Sequence, residues 1–192
     1  MNVLIAPDKF KGSLTAAQVV HHLGRGLEQR GIHHDGLPLA DGGDGSVAAA
    51  VAAGFRSVEV DVAAATGERH SAAIAFDGVT AVVEVANTCG LHTLPAGTPA
   101  PLRSSSAGLG DAVRAALQLE AKRIVLALGG SASTDGGTGM LAVLGAVFRD
   151  EAGQPVTPDG GTLGRIHTVD LAGLPDLSTT EIVIAGDVPT YY

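Results

Sequence analysis

Apolar residues along this chain come in two patterns, short unbroken runs and longer stretches at helical spacing, and their order predicts most of the elements. Val3-Leu4-Ile5-Ala6 is an apolar run ended by Pro7-Asp8, which reads as a buried first strand. Thr15 then stands where a helix cap belongs. Ala16, Val19, Val20, Leu23 and Leu27 line one face of a helix running to about Arg30, with Gly31 as its stop. An extended segment ending near Leu39 comes next, followed by a helix over 47–53 that Gly54 closes. Three alternating segments, 57–62, 71–76 and 80–85, are separated by the turn-like pairs Thr66-Gly67 and Asp77-Gly78. They predict antiparallel or mixed pairing, unlike the strand–helix rhythm on either side.

Helical spacing returns over 106–119, with Leu109, Ala112, Val113, Ala116 and Leu117 on one face. Ile124-Val125-Leu126-Ala127-Leu128 has the form of a buried strand, and a helix is expected over 140–148. Residues 151–162, rich in Gly, Pro and Asp, read as a turn or hairpin. Ile182-Val183-Ile184-Ala185 closes the series as a last buried strand. The fold class expected is α/β, a parallel Rossmann-like sheet with a smaller mixed lobe. Residues 1–56 would begin the first lobe, and 57–192 would form the second with its mixed strands and a glycine-rich loop.

Composition narrows this. Hydrophobic residues make up 45% of the 192 and charged ones 17%, a globular balance. Aromatic residues are 3% and Trp is absent, so the core must be built of Ala, Val, Leu and Ile, which suits helices packed closely on a parallel sheet. A net charge of −8 with no run of Lys or Arg argues against nucleic acid or an anionic membrane as partner, but leaves room for a small anionic substrate. Cys89 stands alone and reads as a buried structural thiol. The N-terminus turns polar at Pro7-Asp8-Lys9 too soon for a signal peptide. No apolar stretch reaches the roughly 18 residues that span a bilayer, so a cytoplasmic protein is expected.

The chemistry concentrates in three loops. Asp41-Gly42-Gly43-Asp44-Gly45 recurs in form as Asp135-Gly136-Gly137-Thr138-Gly139, each between an expected strand and an expected helix. Glycines there leave backbone N–H groups bare at a helix start, a setting that holds anions or metal-bridged phosphates. Carboxylates such as Asp41 would meet a phosphate through a cation. A plain turn with Asp41 or Asp44 as a helix cap accounts for the first loop at least as well. The segment Gly129-Gly130-Ser131-Ala132-Ser133-Thr134-Asp135 adds three hydroxyls to the second copy, and an ordered loop so rich in glycine favours a ligand role. Asp8, Lys9, Lys11 and Ser13 follow the first strand, at the sheet edge where α/β proteins bind ligands. Asp187 follows the last strand in the same way. Glu84 closes an earlier one, though an exposed strand-end carboxylate is the commoner case. His21, His22, His33 and His34 come as adjacent pairs, which do not suit a metal site. Gly137-Thr138-Gly139-Met140-Leu141-Ala142 fits the dinucleotide pattern G-x-G-x-x-A, but no acidic residue ends a following strand at the usual distance. A dinucleotide-dependent oxidoreductase is therefore the weakest reading.

Taken together, Ala6-Pro7-Asp8-Lys9-Phe10-Lys11-Gly12-Ser13-Leu14, Pro38-Leu39-Ala40-Asp41-Gly42-Gly43-Asp44-Gly45 and Leu128-Gly129-Gly130-Ser131-Ala132-Ser133-Thr134-Asp135-Gly136-Gly137 resemble the class I glycerate kinases in order and spacing. Members of that family transfer the γ-phosphoryl group of ATP to D-glycerate with Mg2+, and fold as two α/β lobes around a cleft. The resemblance implies that Asp8, Lys11 and Ser13 lie in the cleft, with Asp41, Gly42 and Gly43 beside them. Ser131, Thr134, Asp135, Gly136 and Gly137 would line the nucleotide or glycerate site. Lys11 would neutralise a phosphate or the glycerate carboxylate, Asp135 or Asp187 would orient the attacking hydroxyl, and Asp41 and Asp187 would hold the metal. Asp44 and Ser46 replace a more usual Glu and Thr, and residues 104–111 match only loosely a segment near S-Y-G-T-G-E. The resemblance covers the whole chain but only the N-terminal half of the family's length. An incomplete fold, self-association, or a non-catalytic fragment that binds glycerate or nucleotide are the expectations that follow.

Overall fold

The computed structural model describes residues 1–10, 13–96 and 98–186. Strand β1 (Asn2–Ile5) leads through a polar loop into α1 (Ala16–Glu28), and Thr15 caps that helix as expected. Its hydroxyl accepts from the Gln18 N–H at 3.2 Å while Gln18 Oε1 accepts from the Thr15 N–H at 2.8 Å, so two orphan donors are met reciprocally. Strand β2 (His33–Gly36) pairs parallel with β1 and makes a sheet of its own. The first strand was expected to be buried. Instead Leu4 is 63% exposed, because only two strands form this sheet and α1 cannot cover both faces.

After α2 (Ser46–Ala52) come β3 (Arg56–Ala63), β4 (Arg69–Phe76) and β5 (Thr80–Glu84), joined as antiparallel neighbours. Helix α3 (Val85–Cys89) starts directly at the end of β5, and five residues are too few to show a period in the sequence. Helix α4 (Ala107–Gln118) precedes β6 (Arg123–Ala127), which lies parallel to β5. Helix α5 (Thr138–Leu144) is shorter than the sequence suggested. Gly145, at φ +118°, ends it, and Phe148 belongs to β7 (Val147–Arg149), which pairs with β8 (Thr168–Asp170) over a small core of Ala146, Phe148 and Val156. Strand β9 (Glu181–Ala185) lies parallel to β6 and completes a five-stranded sheet ordered β3-β4-β5-β6-β9. The α/β class and the mixed pairing follow the sequence pattern.

The core lies under α4. Leu109, Ala112, Val113 and Ala116 pack on Val62, Ile74, Val83 and Ile124, and Cys89 is fully buried among them. Burial pushes the Cys89 thiol above its ordinary range. Asp111 anchors the helix: its carboxylate takes Arg69 Nη1 and Arg114 Nη2, each at 2.6 Å, and the Ala63 N–H at 3.0 Å. The last strand was expected to be buried and is not. In-register pairing continues the row Val83–Leu126 into Ile184, but that position lies at the sheet edge and is 68% exposed.

Candidate functional site

Parallel, in-register pairing sets Glu84, Ala127 and Ala185 side by side, so β5, β6 and β9 end together. The first glycine loop lies across those ends. The Gly129 N–H donates to Gly42 O at 3.0 Å, and the Leu128 N–H donates to Ala185 O at 3.2 Å. Gly42 has φ +86°, and a Cβ there would stand 2.7 Å from Ala185 O; only glycine fits the approach. A Cβ on Gly129 would likewise stand 2.6 Å from Gly43 Cα. Glycines thus let the two loops touch backbone to backbone.

Beside this contact, Lys9 Nζ lies 3.3 Å from Asp41 Oδ1 and 3.5 Å from Asp8 Oδ1. Asp41 Oδ1 also accepts the Gly43 N–H at 2.9 Å. That N–H, with Lys9 behind it, holds the Asp41 carboxyl below the usual carboxylate range. Burial by itself would lower the Lys9 ammonium, but the carboxylates of Asp41 and Asp8 outweigh it and keep the group raised. Lys9 is therefore a fixed cation between two anions. The sequence reading put the working cation at Lys11, which lies outside the described residues. Ser13 turns its hydroxyl back to Phe10 O at 3.0 Å, closing its own turn.

The second loop, residues 128–137, is held from inside. Asp135 is 1% exposed. Its Oδ2 accepts the Ser106 N–H (2.7 Å), Ser106 Oγ (2.9 Å), Ser105 Oγ (3.3 Å) and the Gly139 N–H (3.2 Å), while Oδ1 accepts the Gly137 N–H at 3.1 Å. The carboxylate expected to orient a substrate hydroxyl is enclosed, and ties the start of α4 to the start of α5. Ser105 and Ser106, in the segment that matched only loosely, are its partners. Thr134 donates to Pro101 O at 2.7 Å. Ser131 and Ser133 stay outside with their hydroxyls 3.1 Å apart. They share a cleft of about 380 Å³ with Gly136, Gly137, Leu128 and Ile184.

Of the residues singled out in the sequence, Asp8, Asp41, Gly42 and Gly43 come together around Lys9, and Ser131, Asp135, Gly136 and Gly137 around the second cleft. Asp187 lies outside the described residues. Glu84, expected more often to be exposed, is 2% exposed, and burial pushes its carboxyl above the ordinary value. The Asp41 carboxylate is an oxygen donor of the kind a hard cation such as Mg2+ takes, one or two to a site with water and phosphate in the remaining positions, though its Oδ1 already faces Lys9 Nζ. Among the described residues no group of three His, Cys, Asp or Glu side chains could hold a metal unaided. No helix among them is long and apolar enough to cross a membrane.

A sequence model described as "Glycerate kinase family" matches residues 3–191. A glycerate kinase of Bacillus subtilis (strain 168) is 38% identical over 194 residues, covering 98% of this chain and 51% of the relative. A glycerate 2-kinase of Escherichia coli (strain K12) is 37% identical over 195 residues, with the same two coverages. A crystal structure of a candidate glycerate kinase 2 from Salmonella typhimurium LT2 superposes with a TM-score of 0.82 at 36% identity, over 96% of this chain and 52% of the other. The chain spans about half the length of these relatives, and it belongs to the glycerate kinase family, whose N-terminal half it matches.

Proposed function

We propose that this chain carries the part of a kinase site that transfers the γ-phosphoryl group of ATP to D-glycerate. The observation that carries this reading is the Lys9 ammonium held between Asp8 and Asp41 where the two glycine loops meet. Phosphoryl transfer asks the protein mainly for positioning and charge neutralisation, and this place offers fixed charge of both signs. The glycerate hydroxyl oxygen forms the new bond to γ-phosphorus, the bond to the bridging oxygen breaks, and ADP leaves. Lys11 neutralises phosphate or the glycerate carboxylate, and Asp187 orients the hydroxyl and takes its proton. Asp135 works through the loop it holds. Asp41 and Asp187 would hold Mg2+, which would supply further neutralisation of phosphate charge. Residues 1–56 and 57–192 supply one side of the cleft each, in a cytoplasmic enzyme.

A second reading is a protein that binds glycerate or nucleotide without turnover, or that works only with a second chain or by self-association. One feature favours it: Leu4, Leu23 and Ile184 stand exposed as large apolar side chains. One assay separates the readings. ADP release is measured with MgATP, with and without D-glycerate, on a sample whose folding is checked by circular dichroism. Glycerate-dependent release that stops on adding EDTA supports the kinase. A folded chain that releases no ADP with glycerate present is the non-catalytic form.

A further inference from the structure

Helix α2 has no cap of its own. Gly45 stands at its N-cap in the left-handed region and offers no side chain, although Asp44 lies next to it. The cap comes from Glu84, at the end of β5. Glu84 Oε1 accepts the Gly45 N–H at 3.2 Å and Oε2 accepts the Val47 N–H at 2.9 Å. A cap from Asp44 would fix the loop only relative to its own helix. A cap from β5 fixes it relative to the sheet. Burying a carboxylate costs free energy, and Asp44 nearby adds a like charge, so a neutral cap would be cheaper if helix stability were all that mattered.

We propose that Glu84 is the positioning residue of the first glycine loop, and that it sets the place of Asp41 against Lys9. Three strand ends hold the loop: Glu84 on β5 through Gly45 and Val47, Gly129 after β6 through Gly42 O, and Ala185 on β9 against Gly42. The last two are backbone contacts that any side chain but glycine's would block. Only the first is made by a side chain. Glu84 touches no substrate in this scheme; it acts through the loop, and its consequence for turnover rests on the kinase reading above.

The test is Glu84→Gln, which keeps the shape but exchanges one acceptor for a donor facing an N–H. Steady-state kinetics with D-glycerate and MgATP should show kcat down at least about tenfold with both KM values within about threefold, the pattern of a misplaced reacting group. A kcat within twofold of the parent overturns the proposal. Hydrogen exchange on the same variant is read independently of activity. Amides of Gly43, Gly45 and Val47 should exchange at least about tenfold faster while those of α4 keep their rates. Unchanged loop rates overturn the proposal whatever the kinetics. A parent chain without turnover counts against the kinase reading alone, and leaves the exchange result to decide the role of Glu84. If Glu84→Gln does not fold, Glu84→Asp, too short to reach both amides, takes its place in both measurements.

Discussion

The two glycine loops share a sequence form and a local geometry, yet they are held in opposite ways. In each, the leading Asp accepts the N–H two residues on: Asp41 from Gly43 at 2.9 Å, Asp135 from Gly137 at 3.1 Å. In each, a hydroxyl closes the turn at 2.7 Å, from Ser46 to Gly43 O and from Thr138 to Asp135 O. Beyond that they diverge. Asp135 faces inward and carries its loop by its own side chain. Asp41 faces outward to Lys9, and its loop is carried by Glu84, from another strand. A leading carboxylate therefore either anchors its loop or stays free to meet charge. Here one copy does each.

The sharpest way to break this comparison is to remove both anchoring oxygens at once. Asp135→Ala orphans buried donors on the starts of α4 and α5, and should cost about 3 kcal/mol of stability, read as a fall in Tm of roughly 10 °C. Next come the glycines. Gly42→Ala drives a Cβ into Ala185 O and should cost about 2 kcal/mol by urea unfolding. Gly136→Ala meets nothing within 4 Å and pays only its left-handed strain, about 1 kcal/mol; equal losses at the two sites would contradict the difference in seating. Asp41→Asn reverses the Asp135 pattern. It should leave stability within about 0.5 kcal/mol, and in a chain that turns over it should lower kcat at least about tenfold.

The smallest effect is in pH. Burial raises the Glu84 carboxyl, and Asp44 adds to this, while the Val47 and Gly45 amides and His92 oppose it. The folded state thus takes up this proton at a higher pH than the unfolded state does. Relative to Glu84→Gln, the parent should gain stability as pH falls through the raised value, and level off below the ordinary 4.5. A parent that instead loses stability over that window, in matched thermal melts, would reverse the sign assigned to burial.

Much of this was legible in the sequence, and the gaps have physical causes. Thr15 announces α1 as its cap, and the structure adds Gln18 as the other half of a capping box. The alternation through 57–85 announces the antiparallel strands. Period alone cannot say how many strands flank a run, so β1 and β9 read as buried though each has an open side. Nor can it see Gly145 dividing one apolar stretch into α5 and β7. Within the site, motif order brought out Asp8, Asp41 and both glycine pairs. It could not give Lys9, Glu84 and Ser106 their partners, because those bonds span from 29 to 39 positions.

Cys89 gives this architecture a built-in clock. The thiol lies beneath α4, fully enclosed and held protonated by its surroundings, so an alkylating reagent in solution finds nothing to attack until that helix lifts from the sheet. With no other sulfhydryl in the chain, every labelling event marks one opening of the core. Where labelling outpaces reclosing, the modification rate follows how often the central packing comes apart, with no residue changed.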